Sequence, residues 1–344
     1  MEDQQQKKYQ LMTETPVSRL IPRMALPCVV SMLVTAFYNM ADTFFVGMLK
    51  SNAATGAVGV VFSLMAIIQA IGFFFGQGSG NFISREIGHK NYQEASEMAS
   101  TGFFSALATG VLICVLGLLF LEPLAYLLGS TDTILPYTKA YLSVILLGAP
   151  WMTSSLVLNN QLRFQGSAAY AMVGITSGAV LNIALDLWFV IGLDRGVAGA
   201  AEATVIAQYL SGVGIAGYTL MRFSQVRSIW KFRCLRRARI REIVSFSTLT
   251  CVQQSVMNLG ILMVQGLVNS FGAVVMAAFA AAVKIDAFAY MPVQDFGNAF
   301  STFIAQNYGA KERARIRAGL KSAVCISMAF CIVISILVCV FARP

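Results

Sequence analysis

The chain has 344 residues, of which 57% are hydrophobic and only 12% are charged, and its mean hydropathy is +0.69. A soluble domain usually carries about 25% charged residues, so this composition excludes an ordinary soluble globular protein. The net charge of +9 at pH 7 does not by itself indicate an acidic partner, because most of the basic residues fall in a few segments.

In chain order, the sequence begins with a polar segment, residues 1–16, which predicts a cytoplasmic N-terminal tail. Apolar runs of about 20 residues follow, each long enough to cross a bilayer as a helix. The predicted fold is therefore an all-α polytopic membrane bundle. The nine predicted spans are residues 22–47, 54–83, 97–121, 137–158, 169–192, 197–221, 243–269, 273–305 and 321–342.

Lysine and arginine residues predict how these spans are oriented. If residues 1–16 are cytoplasmic, the cytoplasmic segments hold 20 basic residues and the outer segments hold 4. Membrane proteins show such an excess on the cytoplasmic side. Eight of the 20 lie between Arg222 and Arg241, a run that alone would suggest binding to nucleic acid or anionic lipid. Its position between two spans favours a basic cytoplasmic linker, residues 222–242, and no nucleic-acid partner is expected.

The sequence repeats itself after six spans. An even number of spans starts both copies on the same side of the membrane, which predicts two lobes related by a pseudo-two-fold axis along the membrane normal. The first lobe is residues 17–221, and the second, residues 243–344, stops after three spans. We therefore expect a truncated chain, because a complete second copy would give about 440–460 residues. At an offset of 221, Phe75, Gly76, Phe82, Ile83, Gly88 and Lys90 match Phe296, Gly297, Phe303, Ile304, Gly309 and Lys311.

An aspartate lies near the middle of the first predicted span. Asp42 belongs to the stretch "FYNMADTFFVG", and in a helix Tyr38 and Asn39 share its face at i−4 and i−3. An aspartate at the centre of a membrane helix costs about 2.5–3.5 kcal/mol on insertion scales. Intramembrane acids are therefore functional candidates by default. This face offers a carboxylate, an amide and a phenol.

The fifth and sixth predicted spans carry a second polar group. Asn182 precedes Asp186 by one helical turn, and Thr204 and Gln208 lie one turn apart on the next span. Carboxylate, amide and hydroxyl oxygens together suit a hydrogen-bonded proton or a Na⁺ ion. Burial favours the protonated form of a carboxylic acid, so such a site can load a proton on one side of the membrane and release it on the other. The alternative is that Asp42 and Asp186 only hydrogen-bond to neighbouring helices.

The second lobe offers further candidates for substrate contact or for a charge network. Gln254 and Asn258 lie in the seventh predicted span, and Lys284 and Asp286 lie in the eighth. Asp295 is nearer the cytoplasmic end of that span and is expected to be hydrated. Lys284 is the one basic residue predicted at membrane depth.

The sequence lacks recognisable catalytic and metal-binding patterns. The single histidine, His89, falls in a predicted loop, and the seven cysteines show no CxxC or zinc-type spacing. The segment "GVGIAG", residues 212–217, matches a dinucleotide fingerprint, but it lies inside an apolar span with no preceding strand. The sequence therefore predicts neither an enzyme nor a bound cofactor.

Several of these motifs resemble those of the multidrug and toxic compound extrusion (MATE) family of transporters. They are "YNMADTFFVG" in the first span, "SREIGHKN" and "AQNYGAKE" after the second and eighth, and "LNIALDLWFVIG" in the fifth. The acid in span one, with Asn and Asp at i and i+4 in span five, is similar to the DinF-like and MepA-like bacterial branch. The resemblance implies a cation site formed by Asp42, Asn182 and Asp186, with Thr204 beside it. Another branch uses a glutamate in span seven, and residues 243–269 contain no acid.

The resemblance implies a secondary active antiporter in the bacterial cytoplasmic membrane, with its N-terminus in the cytoplasm. We expect it to export amphipathic, cationic organic compounds by alternating access, coupled to inward movement of H⁺ or, alternatively, of Na⁺. The expected partners are these small molecules and the lipid bilayer, and the expected state is a monomer. Two alternatives stay open: a flippase for lipid-linked substrates of the same superfamily, and a non-transporting membrane scaffold. A flippase is expected to have several cationic residues in its cavity, and only Lys284 is predicted at depth.

Overall fold

The protein, described by a computed structural model, is almost entirely helical in the part that the structure describes, and no strand occurs there. Helices are favoured in a bilayer because they satisfy the backbone hydrogen bonds within one segment. The described residues are 10–48, 52–193, 195–222, 237–269, 271 and 273–341.

Each predicted span coincides with a helix, and most of the helices extend a few residues beyond the predicted span. Hydropathy detects the part of a helix in the hydrocarbon core, whereas the helix itself continues into the headgroup region. In chain order the helices are α1 (Val17–Met48), α2 (Asn52–Gly88), α3 (Tyr92–Leu119), α4 (Leu121–Leu127), α5 (Leu135–Phe164), α6 (Ala168–Asp186), a π-helical segment (Leu187–Gly192), α7 (Gly196–Arg222), α8 (Arg237–Asn269), α9 (Ala273–Gly309) and α10 (Arg313–Phe341).

The length and composition of these helices identify a multi-pass membrane protein. Six segments within the described ranges are long and apolar enough to cross a membrane. They fall in α1, α2, α3, α5, in α6 with its π-helical extension, and in α10. The helices α7, α8 and α9 occupy the positions of the three remaining predicted spans.

The turns after α2 and α9 have the same backbone structure. Lys90 and Lys311 both adopt left-handed φ angles, of 62° and 61°. Their positions differ by the 221 residues of the sequence repeat, and so do the hydrogen bonds of the two turns. In the first turn, three N–H groups donate to carbonyl oxygens in the pairs His89 to Arg85, Lys90 to Ile87 and Asn91 to Glu86. In the second turn, the matching pairs are Ala310 to Gln306, Lys311 to Tyr308 and Glu312 to Asn307.

Gly88 and Gly309 bring the ends of α2 and α9 into backbone contact. A Cβ atom at Gly88 would overlap the carbonyl oxygen of Gln306, and one at Gly309 would overlap that of Arg85. The two contacts exchange under the 221-residue offset, as a local two-fold axis between the helices requires. The relation between the complete lobes stays a prediction.

Part of the predicted N-terminal tail is packed between the lobes. Met12 is only 2% exposed, and its carbonyl oxygen accepts hydrogen bonds from Arg315 Nη2 at 3.2 Å and Asn307 Nδ2 at 3.4 Å. The carbonyl oxygen of Thr15 accepts a second bond from Arg315 Nη2 at 2.8 Å. A polar sequence gave no sign of this packing, because the partners lie about 300 residues further along the chain.

The predicted orientation leads to a labelling experiment. We expect residues 84–96, 222–242 and 306–320 to be cytoplasmic, because they carry most of the basic residues outside the spans. Cysteines introduced there should resist a membrane-impermeant maleimide in intact cells and react after the membrane is permeabilised. Labelling of the 222–242 segment from outside would contradict the orientation. Residues 223–236 of that segment lie outside the described residues.

A polar cavity between the lobes as candidate functional site

A cavity of about 600 Å³ lies between the first-lobe helices α1, α2, α5, α6 and α7 and the second-lobe helices α8 and α9. Pockets for small organic ligands usually have about 300–1,000 Å³. Phe73, Phe74 and Met257 contribute apolar surface to its wall. Polar side chains reach it from both lobes, including Tyr38, Gln77, Asn160, Asn182, Thr204 and Gln208 from the first and Ser247, Thr250, Gln294, Asp295 and Asn298 from the second.

The second predicted polar group forms a hydrogen-bonded cluster on the cavity wall. Asp186 is fully buried, and Asn182 and Thr204 are almost fully buried. The Asn182 amide is assigned with its nitrogen toward Asp186, because this orientation satisfies both ends of the amide. Nδ2 then donates to Asp186 Oδ2 at 2.9 Å, and the amide oxygen accepts from the backbone N–H (3.2 Å) and hydroxyl (3.3 Å) of Thr204. The cluster thus joins α6 to α7.

The local backbone explains how these side chains are placed. Asn182 and Asp186 are separated by one turn of α6, so their side chains lie on the same face. Asp186 is the last residue of α6, and the π-helical segment Leu187–Gly192 begins directly after it. Such wide turns within helices occur frequently at functional sites. Asn182 and Thr204 reach the cavity, and Asp186 lies behind them.

Six predicted site residues have side chains outside the described residues. For this reason the predicted proximity of Asp42 to Asp186 stays a prediction, although the backbone of Asp42 lies in α1. Tyr38, on the same helix, does line the cavity, as does Gln208 on α7. The six are Asn39, Asp42, Gln254, Asn258, Lys284 and Asp286.

The structure adds two charged residues that the sequence interpretation placed elsewhere. Asp295, expected to be hydrated, is only 6% exposed, and that expectation is wrong. Its Oδ1 accepts from Asn298 Nδ2 at 3.2 Å, and its Oδ2 lies 3.7 Å from Nη1 of Arg163 at the end of α5. Arg163 is one of the 20 basic residues that the sequence predicts to be cytoplasmic. The polar run "NNQLRFQ" at 159–165 was the available signal, because such a run at the end of an apolar span needs buried partners.

Two further hydrogen bonds join the lobes, one near the ends of α2 and α9 and one from α8 to the middle of α2. Ser84 Oγ donates to the carbonyl oxygen of Thr302 at 3.1 Å, and Ser247 Oγ donates to that of Phe74 at 2.6 Å. Together with the contact between Gly88 and Gly309, they join α2 to the second-lobe helices α8 and α9.

An ion pair beside the membrane joins α8 to α3. Arg239 Nη2 lies 3.1 Å from Glu94 Oε2 and 3.6 Å from Glu97 Oε2. Burial alone would lower the pKa of Arg239, but its hydrogen bond to Glu242 and the nearby charges of Glu242 and Glu94 raise that pKa above its ordinary value. The guanidinium therefore remains charged and attracts the first lobe.

The donor set around Asp186 suits a proton, and it suits Na⁺ only with further ligands. Within the described part of the chain, no group of three or more His, Cys, Asp or Glu side chains could hold a metal ion. Na⁺ at Asp186 would therefore need amide or hydroxyl oxygens, such as those of Asn182 and Thr204, or an acid whose side chain lies outside that part. A proton needs only the carboxylate and one hydrogen-bond acceptor.

Comparisons with known proteins agree on one family. The MatE family model matches residues 27–188 and 250–344. The multidrug export protein MepA of Staphylococcus aureus (strain MRSA252) is 29% identical over 216 residues, which are 63% of this chain and 48% of that protein. MepA of Staphylococcus haemolyticus (strain JCSC1435) is 25% identical over 299 residues, 86% of this chain and 65% of that protein. The chain spans about half the length of the first of these curated relatives.

Solved structures show the same fold. A crystal structure of MATE in the straight conformation superposes with a TM-score of 0.89 and 25% sequence identity, and the match covers 98% of this chain and 75% of that one.

Proposed function

Because this chain belongs to the MatE family, we propose that the protein is a secondary active exporter of amphipathic organic cations, which it exchanges for H⁺ by alternating access. The observation that carries the proposal is the buried cluster of Asn182, Asp186 and Thr204 on the wall of a 600 Å³ cavity between the lobes. A cavity with apolar walls and a few polar groups suits small amphipathic ligands. The relatives named multidrug export proteins support the same proposal.

Proton binding at Asp186 has a direct structural consequence. The ionised carboxylate accepts from Asn182 Nδ2, and the amide oxygen faces Thr204. A proton on Asp186 Oδ2 would turn that oxygen into a hydrogen-bond donor. The Asn182 amide would then turn over, so that its oxygen accepts from Asp186. The reversed amide nitrogen then donates to Thr204 Oγ1, 3.3 Å away. Protonation therefore changes the contact between α6 and α7 and can alter the shape of the first lobe.

Export also requires that the proton and the organic cation favour different arrangements of the lobes. A ligand shifts a conformational equilibrium only by its difference in affinity for the two states. The proton site lies within the first lobe, whereas the cavity is lined by both lobes. The two ligands can therefore act through different contacts, and they need not occupy the same place.

The flippase alternative depends on the amount of positive charge in the cavity. Arg163 lines the cavity, although the sequence predicted Lys284 as the one basic residue at membrane depth. Asp295 lies beside Arg163 and offsets its charge. The described lining therefore carries no surplus of positive charge of the kind that a phosphate-bearing lipid needs, and drug export remains the proposal.

Transport in vesicles tests this function. The purified protein in liposomes should move an amphipathic cation such as ethidium against its gradient when a pH gradient is imposed, and a protonophore should stop the movement. A Na⁺ gradient at constant pH should have no effect. Transport driven only by Na⁺ would contradict the coupling to H⁺, and transport with neither gradient would contradict the exporter.

A further inference from the structure

The part of the cavity wall formed by Arg163, Asp295 and Asn298 is the cavity floor. It contains a buried ion pair whose partners come from different lobes. Arg163 belongs to α5 of the first lobe and Asp295 to α9 of the second, and their side chains are 15% and 8% exposed. Both residues line the cavity. The pair therefore connects the lobes at a place that a ligand in the cavity can reach.

The pair is loosely bonded for its degree of burial. Nη1 of Arg163 and Oδ2 of Asp295 are 3.7 Å apart, longer than the 2.7–2.9 Å of a charge-assisted hydrogen bond. Among the described residues, neither Nε of Arg163 nor Oδ2 of Asp295 has a hydrogen-bond partner. Buried charges are costly unless they are both paired and hydrogen-bonded. Asp295 Oδ2 consequently lacks a hydrogen-bond donor, and a better-placed donor can supply one when Arg163 moves aside.

Separating the lobes at this point would leave a buried carboxylate without its counter-charge. Removing one partner of a buried pair is much more costly than exchanging it for another of the same sign. The closed floor is therefore stable while Arg163 is the cation at Asp295, and it can open when a different cation takes that place.

We propose that Asp295 is a binding site for the cationic group of a ligand in the cavity, and that displacement of Arg163 from it releases the two lobes at the cavity floor. The identity of the natural ligand as an exported organic cation rests on the function proposed above. The site and its coupling to the lobes rest on the contacts of Arg163 and Asp295.

Cys28 on α1 reports the state of this floor. The residue is 2% exposed, and with Arg163 and Asn298 it lines a second, small cavity of about 10 Å³. A maleimide reagent cannot enter a space of that size. Alkylation of Cys28, measured by peptide mass spectrometry so that other cysteines do not interfere, therefore requires the lobes to separate. Arg163→Gln is the decisive variant, because loss of this nearby positive charge by itself disfavours the reactive thiolate, so faster alkylation there reports separation.

The experiment compares Cys28 alkylation by N-ethylmaleimide in the purified protein and its charge variants. Asp295→Asn and Arg163→Gln should each speed alkylation about tenfold, because each leaves one buried charge without its partner. The exchanged pair, Arg163→Asp with Asp295→Arg, should react at the original rate. Glu122→Gln is the matched control, because it removes an ion pair of 2.8 Å, with Lys139, that lies within the first lobe.

A probe cation tests the binding site itself. Tetraphenylphosphonium should speed Cys28 alkylation in the original protein and have no further effect in Asp295→Asn. Unchanged alkylation in both single variants, or an equal response to the probe with and without Asp295, would overturn the proposal. If the single variants do not fold, the exchanged pair decides: it should keep slow alkylation, and it should lose the response to the probe because position 295 then carries an arginine. Fast alkylation or a retained response would count against the proposal.

These measurements use no ion gradient, so they are independent of transport. Failure of ethidium export together with the expected Cys28 response would reject the proposed function and keep the site. The opposite result would reject the site and keep the function.

Discussion

Replacing Asp186 with Asn is expected to abolish export driven by a pH gradient. Asn keeps the shape of the side chain, and its amide oxygen can still accept from Asn182 Nδ2, which lies 2.9 Å from Asp186 Oδ2. It cannot bind and release a proton between pH 5 and 8. The cluster would then remain in one hydrogen-bonding state, and the proton gradient could not act on the first lobe. Asp42→Asn is expected to have the same effect, on the basis of its position in the sequence.

The measurement is uptake or efflux of ethidium in vesicles, with binding of ethidium measured separately by fluorescence. Binding should persist in Asp186→Asn while gradient-driven transport falls to the background. Glu202→Gln is the control, because Glu202 lies on the same helix as Thr204 but pairs with Arg195 instead of joining the cluster. Full transport by Asp186→Asn would mean that Asp186 has only a structural role. Equal losses in Asp186→Asn and Glu202→Gln would point to general damage.

Replacing Gly309 with Ala is expected to open the cytoplasmic end of the cavity. The added methyl group would overlap the carbonyl oxygen of Arg85 and lie 3.0 Å from the Cα atom of Gly88. Backbone atoms cannot move aside as a flexible side chain can, so α2 and α9 must separate. Overpacking of this kind costs about 1–3 kcal/mol, which shifts a conformational equilibrium by roughly 5–150-fold. Gly88→Ala should act in the same way.

Distances between spin labels test this effect. Labels at positions 90 and 311, both exposed, should give longer distances in the Gly309→Ala variant than in the original protein. Gly297→Ala is the matched control on the same helix, because an added methyl group there meets no atom within 4 Å among the described residues. Unchanged distances in Gly309→Ala would show that the glycine contact does not hold the two ends together.

Features that depend on local sequence could be predicted well. The nine apolar runs coincide with helices, because hydropathy and helix length follow directly from neighbouring residues. The resemblance to the MATE family and its MepA-like branch is confirmed by the family model and the curated relatives. Asn182 and Asp186 share one face because they are four residues apart in a helix. The repeat offset of 221 residues reappears in the paired turns at Lys90 and Lys311.

The approach of Thr204 to that face was only an expectation, since it depends on how α6 packs on α7. The structure brings the three residues together, and their role as a cation site stays a proposal.

The sequence by itself determined the membrane class, the family, the helices and the polar groups along each helix, because each of these depends on short-range pattern. Only the tertiary structure decided which of those groups meet across the lobes. Arg163 and Asp295 are 132 positions apart, and Met12 and Arg315 are 303 apart. No periodicity links such pairs. Their contact follows from the placement of one lobe against the other, which is decided by backbone approach at Gly88 and Gly309 and by the burial of charges that neither lobe can satisfy alone.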